Sequence, residues 1–162
     1  MKTLKLSMIT AAVIAAMGMS TAFAAAPFAS SSVSSSAEVK DKCLTVAPAT
    51  ISFVEYDATK ETTADAKLEL YCTKGSTFNV SLGSGDNYAE DSRNLEDSNG
   101  NALKYTLSKL GGGNWGEGSE AQSFTANGLL TKNELTVKGK IAAGQDKPAG
   151  TYSDTVTVTV NY

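Results

Sequence analysis

The stretch from Thr151 to Tyr162, TYSDTVTVTVNY, places Tyr152, Val156, Val158, Val160 and Tyr162 on one parity and Thr151, Ser153, Thr155, Thr157, Thr159 and Asn161 on the other. Side chains of a strand point alternately to opposite faces, so this pattern predicts an amphipathic strand. No later stretch of the sequence can pair with it. A β protein that stops on such a strand must cover its apolar face and satisfy its free edge, or the edge becomes a template for other chains.

Residues 1–24 read as a secretory signal. Lys2 and Lys5 give a positive start, Met8 to Met19 is an Ala-rich apolar run, and Ala22-Phe23-Ala24 has the small-x-small pattern that precedes cleavage. The run is too short to span a bilayer. Of 162 residues, a 24-residue leader leaves 138, the length of one domain. Both leader charges are lysines, so the 14 basic residues fall to 12 against 17 acidic ones, and the net charge moves from −3 to −5. A surface of that sign has no general attraction for nucleic acid or anionic lipid, and neither is expected as a partner.

Cys43 and Cys72 are the two cysteines, both in the exported part. In an oxidising compartment such a pair is most simply a disulfide, closing a loop that the chain-entropy model values at roughly 3 to 4 kcal/mol. A metal or redox role lacks support, since there is no Cys-x-x-Cys spacing and no His to complete a ligand set.

Residues 25–36, AAPFASSSVSSS, are small, Ser-rich and uncharged. They suit a flexible tether, yet Ala29, Val33, Ala37 and Val39 share one parity with Cys43, so the same stretch can lie extended with a mildly apolar face. Short alternating runs follow: Ile51 and Phe53; Leu68, Leu70 and Cys72; Phe78, Val80 and Leu82; Leu103, Tyr105 and Leu107; and Leu135, Val137, Gly139 and Ile141. The Gly suggests a bulge or close backbone contact. Turn residues separate the runs, as in Gly83-Ser84-Gly85-Asp86-Asn87 and Lys147-Pro148-Ala149-Gly150. About seven strands at this spacing predict an antiparallel sandwich or barrel. A bridge from Cys43, ending the first strand, to Cys72, ending the third, would join strands that need not be sequence neighbours and suits a Greek-key sandwich.

Little in the chain points to catalysis. Without His or a free thiol, the Ser-His and Cys-His arrangements are excluded. The acids Asp86, Glu90, Asp91, Glu96 and Asp97 sit in a Gly, Asn and Ser-rich stretch that reads as a solvated loop. Asp97-Ser98-Asn99-Gly100-Asn101 alternates Asp and Asn oxygens as a calcium loop does, but the twelfth position is Ser108 rather than Glu, so a turn is expected. Trp115 can stack a sugar on an exposed loop or cap the core; with no second aromatic beside it, the core is favoured. No catalytic residue, metal or cofactor is assigned.

Four stretches carry a resemblance: LELYCTKGSTFNVSLGSG, NALKYTLSKL, the NWGEG loop and GKIAAGQDKPAGTYSDTVTVTVNY. They resemble the spore coat U domain family, which includes subunits of Csu-type archaic chaperone-usher pili, and Arg93 followed by Leu95 sits where that family has an Arg and an apolar residue. The resemblance implies an incomplete immunoglobulin-like sandwich lacking its last strand, in a domain spanning residues 37–162. A periplasmic chaperone lends a strand to the groove, and at an outer-membrane usher the N-terminal extension of the next subunit replaces it. The implied product is a head-to-tail homopolymer, with other pilus subunits as further partners, displayed on the cell surface for adhesion and biofilm formation.

In this sequence the donor would be residues 25–36 running into the first strand, with Ala29, Val33, Ala37 and Val39 inward. The acceptor edge would hold Val156, Val158, Val160 and Tyr162. Ser31 and Ser35 share the donor parity and Phe28 does not, so either the register differs or the groove takes small side chains. Two other readings remain: a secreted coat protein of the same family, and a carbohydrate-binding module or adhesin acting through the Trp115 loop.

Overall fold

A computed structural model describes residues 29–45 and 49–162. The expected leader, residues 1–24, and the start of the Ser-rich head, residues 25–28, lie outside the described residues. Two units are distinguished, one up to Ala37 and one spanning Glu38–Tyr162. Of the first, Ala29–Ala37 form no helix or strand and their side chains are exposed.

The second unit is built from strands β1 (Cys43–Thr45), β2 (Thr62–Cys72), β3 (Thr77–Leu82), β4 (Arg93–Glu96), β5 (Ala102–Lys109), β6 (Gln122–Thr125), β7 (Asn133–Ile141) and β8 (Val158–Asn161), with a 3₁₀ turn at Gly118–Glu120. They form two antiparallel sheets, ordered β1-β2-β7-β5-β4 and β6-β3-β8. The expected all-β sandwich is what the chain adopts. Its core is the set of residues the alternation marks: Leu68, Leu70, Phe78, Val80, Leu103, Leu107, Leu135, Val137 and Ile141 are all buried, each alternating with more exposed neighbours along most of its strand.

Several expectations are corrected. Ile51–Val54 is not a strand. Ile51 and Phe53 are half-buried while Ser52 and Val54 are exposed. The alternation therefore reflects packing onto the sheet below, without a ladder partner to make it a strand. The long final strand is also shorter as a ladder: only Val158–Asn161 pair with β3, and upstream a single bridge joins Ser153 to Glu96 of β4. The segment thus leaves one sheet and ends in the other, although its alternation of half-buried and exposed residues runs unbroken from Thr151 to Asn161.

The disulfide between Cys43 and Cys72 is present, but it joins consecutive strands. Cys43 stands directly opposite Cys72 in the β1–β2 ladder, so the bond locks one edge of a sheet instead of linking distant strands. Gly139 is not a bulge, since β7 keeps continuous register with both β2 and β5 there. A Cβ on Gly139 would stand 2.7 Å from the Phe53 ring and 2.9 Å from Ile51, so the missing side chain is what lets the 51–53 segment lie on the sheet.

Candidate functional site

The five-stranded sheet is wider than the three-stranded sheet that faces it, and part of its inner face has no described strand across it. The result is an open cleft of about 260 Å³. Ala66, Leu68, Leu107 and Val137 form its floor, Ile51 and Phe53 one wall, and Val156 and Val158 the other. The side chains at the walls are half-buried, whereas those of the closed core are almost fully buried.

The backbone of the Val156–Val158 wall is as open as its side chains. Gly83 N–H donates to the Thr157 carbonyl at 2.9 Å and Asp86 N–H to the Thr155 carbonyl at 3.0 Å. In an antiparallel ladder only alternate residues exchange bonds with a given neighbour. Thr155, Thr157 and Thr159 therefore face β3 with their peptide groups, and those of Val156, Val158 and Val160 lie along the other edge, which no described strand borders. Backbone donors and acceptors and an apolar surface thus coincide in one slot, the combination that accepts an added strand.

Of the proposed acceptor residues, Val156 and Val158 line the cleft, and Val160 is half-buried against the core cluster. Tyr162 lies beyond β8, 69% exposed, with its ring edge-on to Phe78 at 5.5 Å. The donor candidates Ala29, Val33, Ala37 and Val39 are all exposed. The floor and the Ile51–Phe53 wall were not singled out from the sequence as groove residues. Their alternation was visible, but which strands share a sheet was not.

One end of the cleft is polar. The Tyr105 hydroxyl donates to Asp154 Oδ2 at 2.6 Å, and the same carboxylate accepts Asn87 N–H at 3.1 Å. Burial, then the hydrogen bond to Asp154 and its charge, push the Tyr105 hydroxyl well above the ordinary tyrosine range. A group with its folded-state pKa raised contributes stability that is complete below its unfolded value of about 10 and is lost as pH rises beyond it. Urea midpoints should therefore fall above pH 10 in the native chain. Tyr105→Phe should remove that component and cost about 1 to 2 kcal/mol at neutral pH; an alkaline profile unchanged by the substitution would contradict this.

Trp115 is fully buried, and its Nε1–H donates to the Val80 carbonyl at 2.9 Å. Beside it, Leu82 N–H donates to the Gly116 carbonyl, while the Arg93 guanidinium reaches the carbonyls of Leu82, Gly83 and Trp115. The NWGEG loop and Arg93 thereby satisfy the edge of β3 beyond the end of β6. A ring enclosed in this way presents no face to a sugar, which removes the Trp115-based carbohydrate reading. The Asp97 loop is a turn, as expected: Oδ1 accepts the N–H groups of Asn99 and Asn101, and Oδ2 accepts the Asn101 amide. That side-chain amide, with the backbone donors, holds the Asp97 carboxyl below the ordinary carboxylate range against a smaller opposing effect of burial.

Fold and cleft define an antiparallel β-sandwich whose core is left open along one edge. The chain belongs to the Spore Coat Protein U domain family, whose profile matches residues 28–159. Among solved structures it is similar to a chain of the CsuC–CsuE chaperone–tip adhesion subunit pre-assembly complex from archaic chaperone-usher Csu pili of Acinetobacter baumannii. The two are 28% identical with a TM-score of 0.59, over 76% of this chain and 40% of that one. The chain therefore spans less than half of that relative. No curated protein matches it. The family and fold are those of structural subunits, and among the described residues no helix is long and apolar enough to cross a membrane.

Proposed function

We propose that the chain is an exported subunit of an archaic chaperone-usher pilus that polymerises by exchanging donor strands. The observation that carries this reading is the cleft, where the open backbone edge at Val156 and Val158 borders exposed core side chains. In this account the leader, residues 1–24, is removed on export, and a periplasmic chaperone fills the cleft of the domain formed by residues 37–162. At an outer-membrane usher the head of the next copy, residues 25–36 running on through Ala37 and Val39, takes its place. Ala29, Val33, Ala37 and Val39 face inward, and Val160 and Tyr162 extend the acceptor edge beyond the cleft. Each copy gives at one end and accepts at the other, a heterologous contact that does not close and so builds a filament. Surface adhesion and biofilm formation are the roles such a fibre would serve.

A synthetic peptide of residues 25–39, added to the purified complex of the chain with its chaperone, is expected to displace the chaperone. The same peptide carrying Val33→Asp and Val39→Asp should displace none, because a carboxylate cannot enter an apolar slot uncompensated. Chaperone retained at saturating native peptide would contradict the proposal. A secreted coat structural protein of the same family would share the fold without requiring a pilus, and material sheared from cells would then run as monomer on an unheated SDS gel.

A further inference from the structure

β4 covers the edge of β5 as far as Tyr105, which stands opposite Arg93, and a bridge from Ser108 to Asn114 covers it again further on. Between the two lies a pocket of about 330 Å³, a volume within the range of small-ligand sites. The buried side chains Leu82 and Leu107 supply its apolar part, and Tyr88, Asp91, Asn114, Glu117 and Glu120 stand around it. It shares only Leu82, Tyr105 and Leu107 with the acceptor cleft, so those five side chains form a separate surface. Trp115 stays in the core, while its neighbours Asn114 and Glu117 are exposed.

The turn that brings Tyr88 and Asp91 to this pocket is held against its own backbone preference. Ala89 and Ser92 exchange hydrogen bonds at 3.1 and 3.0 Å around Glu90 and Asp91, whose φ angles are 51° and 55°. Two-residue turns of this hand favour Asn and Gly, because other side chains are crowded there. Asn94, buried in β4, fixes the turn by donating to the carbonyls of Asn87, Ala89 and Ser92, and Lys104 pairs with Glu90 at 2.9 Å. Backbone strain that the surroundings over-determine in this way clusters at ligand sites. The chemistry of the rim narrows the ligand. Among the described residues no three carboxylates are grouped to hold a metal ion. Arg93 spends Nε and Nη2 on the main-chain carbonyls of Leu82, Gly83 and Trp115, which leaves Asp91, Glu117 and Glu120 to set a negative field that repels anions. Asn114 donates to Glu120 at 3.4 Å, placing a carboxamide and a carboxylate side by side, the donor and acceptor that neighbouring hydroxyls require. The Tyr88 ring, 48% exposed, adds a flat apolar surface of the kind on which the C–H face of a sugar rests.

We propose that this pocket binds one saccharide unit, a neutral or amino hexose, with Tyr88 under the ring and Asn114, Glu120 and Asp91 on its hydroxyls. The proposal does not rest on the donor-strand reading, since the pocket lies outside the cleft. It is tested by applying the purified protein to an array of neutral, amino and acidic saccharides. Saccharides ending in a neutral or amino hexose should retain it at least tenfold better than those ending in a uronic or sialic acid. Tyr88→Ala and Asn114→Ala, both at exposed side chains, should each lower that retention at least tenfold, and Thr63→Ala, on the exposed face of β2, should leave it unchanged. Retention by no saccharide, retention by acidic saccharides alone, or equal retention of the native and Tyr88→Ala chains would overturn the proposal. A charge reversal supplies the independent measurement. Glu117→Lys should raise retention on uronic acid at least tenfold over the native chain, and an unchanged preference would place the ligand elsewhere and overturn the assignment.

Discussion

A chain lacking residues 25–36 is expected to accumulate as a stoichiometric complex with its chaperone and to form no fibres. The cleft is built wholly from residues of the Glu38–Tyr162 unit, so it survives the deletion and still receives the chaperone's strand. What is lost is the strand this copy would give. Burying a valine side chain stabilises by roughly 1.5 to 3 kcal/mol, and every 1.4 kcal/mol is tenfold in affinity. Truncation before Ala37 takes away Val33, Ala29 and the peptide groups between them that would pair along the edge of β8. A loss of more than about a hundredfold follows from the apolar and backbone contributions together. A point variant makes the same test without shortening the chain. Val33→Asp should block assembly, whereas Ser32→Asp, on the opposite parity, should not. Normal polymerisation by the deleted chain would remove residues 25–36 as the donor.

Trp115→Ala is expected to give the largest loss of stability among single substitutions in the sandwich, about 3 to 5 kcal/mol. The ring is fully buried, so the substitution leaves a cavity between the sheets, and it also leaves the Val80 carbonyl without its donor. Trp115→Phe, which retains most of the apolar volume and loses only the N–H, should cost less, about 1 to 3 kcal/mol. Denaturant midpoints of the chaperone-free, strand-complemented subunit check both. If Trp115→Ala melted like the native chain and lost only glycan binding, the ring would be a sugar platform and its enclosure in the core would be wrong.

The strands that build the core were legible because each alternates apolar and polar residues along most of its length: β2, β3, β5 and β7 all do. β4 and β6 were not. Each has four residues and one central apolar side chain, Leu95 or Phe124, too few for a period to register. Ile51–Val54 shows the reverse failure. Its pattern is that of a strand because its side chains pack on Gly139 and the cleft, yet alternation reports burial and not hydrogen bonding. The cysteine pair announced a bond but not its topology, since a 29-residue separation suits neighbouring and distant strands alike. The Val156–Val158 wall of the cleft was visible as the valines of the last alternating stretch. Its floor was hidden because Ala66, Leu107 and Val137 come together only through the pairing of β2, β5 and β7.

The claim on which the rest depends is that copies are joined by an inserted strand, without a covalent bond. Fibres sheared from cells and loaded in SDS without heating should run as a ladder of whole-number multiples of the subunit and collapse to a single band on boiling. A monomer band alone, from fibres never heated, would contradict it.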